Sequence, residues 1–409
     1  MNVTPLDYPI RSTRAVIDLD ALDHNLNLLS ARVPGAGLVP AVKADGYGHG
    51  AAAIASACER WGATMLAVAN LEEYLYLRDR GITLPILILE EVFPGEVETA
   101  LRAGARLTVG SIEYGRLLSE TAGRAGTTAM VHVNLDTGMG RMGLHASDLT
   151  GALLQIAALP DMTMEGVYSH FPGSDERDVS FAREQIAVTR GILTDLREAG
   201  VEVRYAHIAN SGALLQFPEE VAWDLVRPGI SMYGMFPSGD VDTSIDLKPV
   251  MRLESRIVKI TRYDREWTVG YGRTWKVGPG SIIGIVPIGY GDGFPRILSS
   301  RGEALVHGMR VPIAGRVSMD MIALDLTRLP EAPAIDDEVV LMGRQEWYPR
   351  EPRGSARSDE ITALELADLC NTITYEITCG ITIRVPRVYL RNGEIIAIQS
   401  MREGYRVFP

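Results

Sequence analysis

The sequence predicts an α/β protein: a (β/α)8 barrel of the TIM type over residues 11–240 and a mainly β domain over 241–409, with residues 1–10 a candidate addition to the latter. Three observations carry this. Short Val/Ile/Leu-rich runs alternate with longer amphipathic stretches from residue 39 to residue 234, and such alternation gives a parallel sheet. There are eight strand–helix units, the number that closes a barrel. After Gly234 the texture changes to strand-like segments separated by turns, an all-β pattern.

The eight runs are LVPAVKA (38–44), MLAVAN (65–70), ILIL (86–89), RLTV (106–109), AMVHVNLDTG (129–138), MEGVYSHF (164–171), YAHIANS (205–211) and LVRPGISMYG (225–234). They lack strict alternation, as expected of strands covered on both faces. Between them lie helical patterns such as GAAAIASACERWG and SFAREQIAVTRGILTDLREAG, with Gly81, Gly104 and Gly200 where helix C-caps belong. FPSGDVDTSIDLKP reads as a linker. The segments MRLESRIVKITRY, SIIGIVPIGYG, EALVHGMRVPIAG, MDMIALDL and DEVVLMG then read as strands. One helix, 362–371, opens with a capping box of Thr362 and Glu365. The Pro-, Arg- and Ser-rich segment 347–359 reads as an exposed loop.

The 409 residues suffice for two domains. Net charge is −12, which opposes binding to nucleic acid or to an anionic membrane surface. No apolar run reaches the ~20 residues that span a bilayer, and the N-terminus lacks the charge and apolar pattern of a signal peptide. Three cysteines, Cys58, Cys370 and Cys379, have no CxxC spacing, so neither a disulfide framework nor a metal site is expected. The expected location is the cytoplasm.

The 40 basic residues include only four lysines, and Lys43 is the sole one in the first 247 positions. Arginine cannot form a Schiff base; lysine can. Lys43 closes the first strand, and barrel sites lie at the C-terminal strand ends. The loop ADGYGHG follows, where Tyr47 and the start of the next helix are candidates to meet an anion. The seventh strand ends at Asn210 and Ser211, and the eighth at Arg227, with Gly229 and Ile230 offering backbone N–H groups for a phosphate. Taken singly, Lys43 also fits a rim lysine and Arg227 a salt-bridge partner. Two Gly-Tyr-Gly elements carry Tyr271 and Tyr290. Their all-β context excludes a dinucleotide fingerprint and leaves either an exposed, turn-held phenol or a packed aromatic.

Ten motifs in order, AVKADGYGHG, LDTGMGRMG, SHFPGSDERDVSFAREQ, HIANSGA, RPGISMYG, VGYGRTW, PIGYGDGFPR, GRVSMDM, ITALELA and TYEITCGITIRVPRVY, resemble the alanine racemase family along nearly the whole chain. The resemblance implies a pyridoxal-phosphate-binding barrel in a homodimer that interconverts L- and D-alanine and supplies D-alanine for peptidoglycan. It implies Lys43 as the covalent cofactor attachment and first acid/base group, and Tyr271 as the second. It implies Tyr47, Asn210, Ser211, Gly229, Ile230 and Tyr375 around the cofactor phosphate, Arg227 at the ring nitrogen with His207 behind it, and His170 beside the ring, orienting Tyr271. Arg141, Met319 and Tyr290 fall at the substrate carboxylate and the entrance, and Asp320 lies next to Met319. In the family, Tyr271, Tyr290 and Met319 come from the partner subunit.

Three departures stand out. Asn134 occupies a position where the family often has a carbamylated lysine, so the resemblance implies a small anion such as chloride beside Arg141. Ser318 stands where a cysteine is common, and the 347–359 loop is long. The alternatives are a serine or broad-specificity racemase of the same fold, and a non-catalytic pyridoxal-phosphate-binding protein.

Overall fold

The computed structural model describes residues 10–348 and 356–408. Within them the chain forms two compact units. One comprises 23–47 and 51–248; the other comprises the described residues of 10–22, 48–50, 249–348 and 356–408. The expected boundaries therefore shift. Strand β1 (Arg14–Asp18) belongs to the β unit, not the barrel, because it pairs antiparallel with β10 (Met251–Arg256) and parallel with β20 (Arg387–Arg391). Of residues 1–10, the first nine lie outside the described residues.

The first unit is the predicted barrel. Its strands are β2 (Gly37–Leu38), β3 (Leu66–Val68), β4 (Ile86–Ile88), β5 (Arg106–Val109), β6 (Ala129–Asn134), β7 (Met162–Tyr168), β8 (Tyr205–His207) and β9 (Leu225–Val226). All pair in parallel in the order β2-β9-β8-β7-β6-β5-β4-β3. A parallel bridge between Ala41 and Ala67 closes the ring. Val39, Met65, Ala67, Leu87 and Leu225 fill part of its interior. Helices start where the sequence offers caps: Asn70, Ser111, Asp148 and Asn210 each accept a backbone N–H three residues on. Gly81, Gly104 and Gly200 adopt φ of +80°, +76° and +77° at helix ends, as predicted. The eighth repeat ends in a 3-10 turn, Ile230–Tyr233, rather than a long helix.

The β unit holds a nine-stranded sheet in the order β16-β15-β18-β10-β1-β20-β21-β22, with β19 on β18. A three-stranded sheet, β11-β14-β17, and the hairpin β12-β13 complete it. These are β11 (Lys259–Arg262), β12 (Trp267–Val269), β13 (Trp275–Val277), β14 (Ile282–Val286), β15 (Glu303–Val306), β16 (Met309–Pro312), β17 (Ile322–Asp325), β18 (Glu338–Trp347), β19 (Arg357–Ile361), β21 (Glu394–Ser400) and β22 (Gly404–Val407). MRLESRIVKITRY is thus two strands in different sheets. The 347–359 loop is shorter than expected, since Trp347 ends β18 and pairs with Arg357 at the start of β19; residues 349–355 lie outside the described residues. Thr362 caps the helix Ala363–Cys370 by accepting from Glu365 N. The Glu365 carboxylate binds Arg310.

The turn after the first barrel strand is left-handed. Ala44, Asp45, Gly46 and Tyr47 have φ of 52°, 51°, 62° and 53°, a conformation that costs non-glycine residues ~1–2 kcal/mol each. It is held from outside: Glu73 accepts from Ala44 N and Ala69 N, each at 2.7 Å, and Asp45 accepts from Ala51 N at 2.8 Å. Because Glu73 brackets the strained turn with two charge-assisted bonds, Glu73→Ala is expected to lower stability by about 2–4 kcal/mol. A guanidinium denaturation midpoint equal to that of the parent would refute this.

Candidate active site

The barrel unit gathers its predicted site residues at the C-terminal strand ends. Lys43 is half-buried and leads directly into the left-handed turn. That turn swings Tyr47 back over the barrel, where its buried ring stacks on Tyr233 at 5.1 Å. At the start of the helix Ala51–Trp61, the first N–H is taken by the Asp45 carboxylate.

Asn210 caps the helix Ser211–Gln216 and also accepts from Ser174 Oγ at 2.6 Å. It thereby fixes Ser211, whose buried hydroxyl lies 2.9 Å from Gly229 N and 2.9 Å from Ser231 Oγ. A Cβ on Gly229 would lie 2.8 Å from Tyr47 Oη. Only glycine lets this backbone approach the phenol. The result is a cluster of hydroxyl and N–H donors from Tyr47, Ser211, Gly229 and Ser231, with the first turn of Ile230–Tyr233 beside it.

Arg227 is buried and donates from Nη1 to His207 Nδ1 at 2.5 Å and from Nη2 to Ser169 O at 2.7 Å. Nη2 also lies 3.3 Å from Ile208 O and from His170 Nδ1. The guanidinium sits 5.0 Å from the centre of the Tyr168 ring. Burial lowers its proton affinity to about 10, so it remains cationic at neutral pH. The same cation acts on its neighbours. Burial, then Arg227, holds His207 well below the usual imidazole value. Burial, then Arg227, Arg141 and Lys43, pushes His170 down to about 3. Both imidazoles are neutral at pH 7. Arg141 is exposed on the turn after β6, and Asn134 is the buried last residue of β6.

The β unit presents the remaining predicted residues on turns. Tyr271 stands at the tip of the β12-β13 hairpin between Gly270 and Gly272, with φ of +75° and +73°, and is 67% exposed. The exposed, turn-held phenol is therefore the correct one of the two alternatives. Tyr290 opens a 3-10 turn tied to the 318–320 segment by Tyr290 N to Ser318 O at 3.0 Å and Gly291 N to Met319 O at 2.8 Å. Beneath it, the buried Asp292 accepts from Arg11 at 2.6 Å. Arg384 binds Asp320 at 2.7 Å. Tyr375 is half-buried in the helix Thr374–Cys379.

Sequence reasoning missed Ser231, Ser169, Asp292 and Arg384. Each lies inside a quoted motif, but their roles depend on backbone direction that spacing does not encode.

The donor set fits pyridoxal 5′-phosphate. Tyr47, Ser211, Ser231 and the Gly229 backbone suit a phosphate, Lys43 supplies a primary amine, and Arg227 offers N–H groups where a ring nitrogen can accept. The glycine-enforced approach to Tyr47 Oη is the observation that makes this a built cradle.

Comparison with known proteins agrees over the whole chain. Residues 17–237 match the family model of the alanine racemase N-terminal domain, and residues 250–389 match that of the C-terminal domain. Alanine racemase 2 of Caldanaerobacter subterraneus subsp. tengcongensis is 40% identical over 394 residues, covering 96% of this chain and 98% of that protein. Alanine racemase of Syntrophobacter fumaroxidans is 42% identical over 366 residues, covering 89% and 94%. Among solved structures, alanine racemase of Clostridium difficile 630 superposes with a TM-score of 0.88 at 32% identity over 96% of this chain and 99% of that one. The enzyme from Bacillus anthracis, solved with L-Ala-P bound, gives 0.86 at 34% identity, covering 96% and 98%. On these matches the chain belongs to the alanine racemase family.

Proposed function

We propose that this protein is a racemase that interconverts L- and D-alanine with pyridoxal 5′-phosphate, using Lys43 and Tyr271 as acid/base groups on opposite faces of the bound substrate. The observation that carries the reading is Arg227, a guanidinium buried among neutral acceptors at the mouth of a barrel that also presents Lys43.

Lys43 would hold the cofactor until the substrate amine takes its place, and the group would then supply an electron sink for the substrate α-carbon. The chain's residues do the rest. Ser211, Tyr47 and the Gly229 and Ile230 backbone would hold the phosphate end. The Lys43 amine, released when substrate takes its place, moves the proton on one face. The Tyr271 phenol serves the other, oriented by His170, and inversion needs one group per face. Arginine does not accept a proton, so Arg227 leaves the ring nitrogen beside it unprotonated. Met319 and Arg141 bind the substrate carboxylate, and Tyr290 narrows the entrance.

Tyr271, Tyr290 and Met319 are exposed by 67, 42 and 52% in the single chain. This supports a homodimer in which they complete the barrel mouth of a second copy. A chloride beside Arg141 and Asn134 stands in for the carbamate, since asparagine cannot be carbamylated. D-Alanine for peptidoglycan is the product in this reading. Among the described residues, no helix is long and apolar enough to cross a membrane, and a cytoplasmic setting suits cysteines, Cys58, Cys370 and Cys379, that are not joined in disulfides.

Chiral chromatography after incubation with pure L-alanine and the cofactor should show a one-to-one mixture of enantiomers; retention of pure L-alanine sinks the assignment. Lys43→Ala should remove the visible absorbance of the bound cofactor together with activity. Tyr271→Phe should slow one direction of α-proton exchange with solvent deuterium by at least ~100-fold, within the range for a positioned acid/base group, while cofactor binding persists. The chloride is testable by a bromide soak, in which anomalous scattering should appear next to Arg141.

His170 adds a pH dependence. Its folded-state affinity, about 3, lies below the ~6.5 of an unfolded histidine. Below pH 6.5 the unfolded chain therefore binds a proton that the folded one does not. Stability is full above pH 6.5 and falls as pH drops toward 3, by at most about 1.4 kcal/mol per pH unit. His170→Gln should flatten that slope in acid-range thermal melts.

A further inference from the structure

Behind Arg227 a file of hydrogen bonds runs through the barrel interior toward the N-terminal strand ends. Arg227 Nη1 lies 2.5 Å from His207 Nδ1. His207 Nε2 lies 2.8 Å from His132 Nδ1. His132 Nε2 lies 3.4 Å from Glu165 Oε2. Arg106 Nε, at the first residue of β5, lies 3.2 Å from the same oxygen, and Arg204 lies 3.9 Å from the other. Glu165 is 5% exposed, and both histidines are fully buried.

The ends of the file fix everything between them. A guanidinium only donates, and a carboxylate only accepts. His207 must therefore turn a lone pair on Nδ1 toward Arg227 and carry its proton on Nε2. That proton points at His132 Nδ1, which must accept. His132 in turn carries its proton on Nε2, toward Glu165. One directed arrangement, with two neutral Nε2–H imidazoles, satisfies every member. Burial lowers the proton affinity of both histidines, in keeping with neutral rings. The His132 and Arg106 contacts hold the Glu165 carboxyl down at about 2, in keeping with a charged end.

The backbone is shaped for this file. The β6-β7 register shifts between Val131 and His132, a bulge of the kind that re-aims a side chain. Opposite it stands Gly166, where a Cβ would lie 2.4 Å from His132 Nδ1. The Tyr168 ring lies parallel to His207 at 4.8 Å, and its hydroxyl is anchored 2.9 Å from Thr108 Oγ1.

We propose that Glu165, acting through His132, is a positioning residue for Arg227: the carboxylate deep in the barrel fixes both imidazole tautomers, so that His207 always offers Arg227 a lone pair. Glutamine at position 165 can reverse the file. Its amide donates to His132 Nε2, His132 then donates from Nδ1, and His207 is left with an N–H facing the N–H of Arg227. The tautomer assignment stands on geometry alone. Its consequence for the cofactor ring rests on the function proposed above.

The test is long-range 1H–15N imidazole spectroscopy of the cofactor-loaded protein between pH 6 and 8, with His132→Gln for assignment. His132 and His207 should both show the neutral Nε2–H pattern, unchanged across the range. An Nδ1–H or imidazolium pattern for either overturns the proposal. Glu165→Gln should move both rings toward Nδ1–H and shift the pH midpoint of the bound cofactor's visible band by about one unit, a tenfold change in proton affinity. Wild-type tautomers in that variant also overturn it. Arg106→Gln keeps the carboxylate and should keep both tautomers; a change equal to that of Glu165→Gln would move the role to the ion pair and overturn it. If Glu165→Gln does not fold, the parent spectrum and Arg106→Gln decide. Loaded protein that shows these tautomers yet leaves L-alanine unchanged contradicts the racemase reading and not the file.

Discussion

A cation enclosed by uncharged acceptors governs the barrel mouth. Charge removed from water is costly unless its hydrogen bonds are made good. Arg227 achieves this with two carbonyls, two imidazoles and the face of Tyr168 rather than with an adjacent carboxylate. Its positive field is therefore not cancelled locally. With burial as the larger cause, that field helps to keep His170 and His207 neutral, and no carboxylate is among the groups hydrogen-bonded to the guanidinium. An aspartate there would reverse each of these properties.

The two units present Lys43 and Tyr271 in different ways. The barrel positions Lys43 and Tyr47 through a strained left-handed turn braced by Glu73 and Asp45. Strain of this sort persists only where surrounding structure over-determines it, and a half-buried amine placed so has little freedom. The β unit instead carries Tyr271 on a hairpin tip flanked by two positive-φ glycines, a device that projects a side chain outward. Lys43 leads into a braced turn, and Tyr271 is presented on the surface.

Much of this was legible in the sequence. The eight strands fell where apolar runs and C-cap glycines placed them, and the scarcity of lysine isolated Lys43 before any resemblance was considered. Arg227, Ser211 and Tyr271 stood out for their positions at strand ends and between glycines. What escaped notice depended on geometry that periodicity does not carry. RAVID reads as a short apolar run with no partner, because its partners lie some 240 and 370 positions away. Asp45 gave no sign that it takes the first N–H of the helix Ala51–Trp61. His132 sits in an ordinary-looking VHVN, and only a bulge and the absence of a side chain at Gly166 bring it into line with His207.

The placement of β1 between β10 and β20 reaches beyond the site. Strand β1 pairs on one edge with residue 251 onward and on the other with residue 387 onward. Joining ends so far apart carries a large loop-closure entropy, and contacts of such sequence separation form late. Nearly all of the barrel, by contrast, is drawn from one uninterrupted stretch, 51–248. On the ribosome the barrel can therefore mature before β10 and β20, the two partners of β1, have been made. Premature termination would leave a folded cylinder with an orphaned sheet edge, a species prone to self-association.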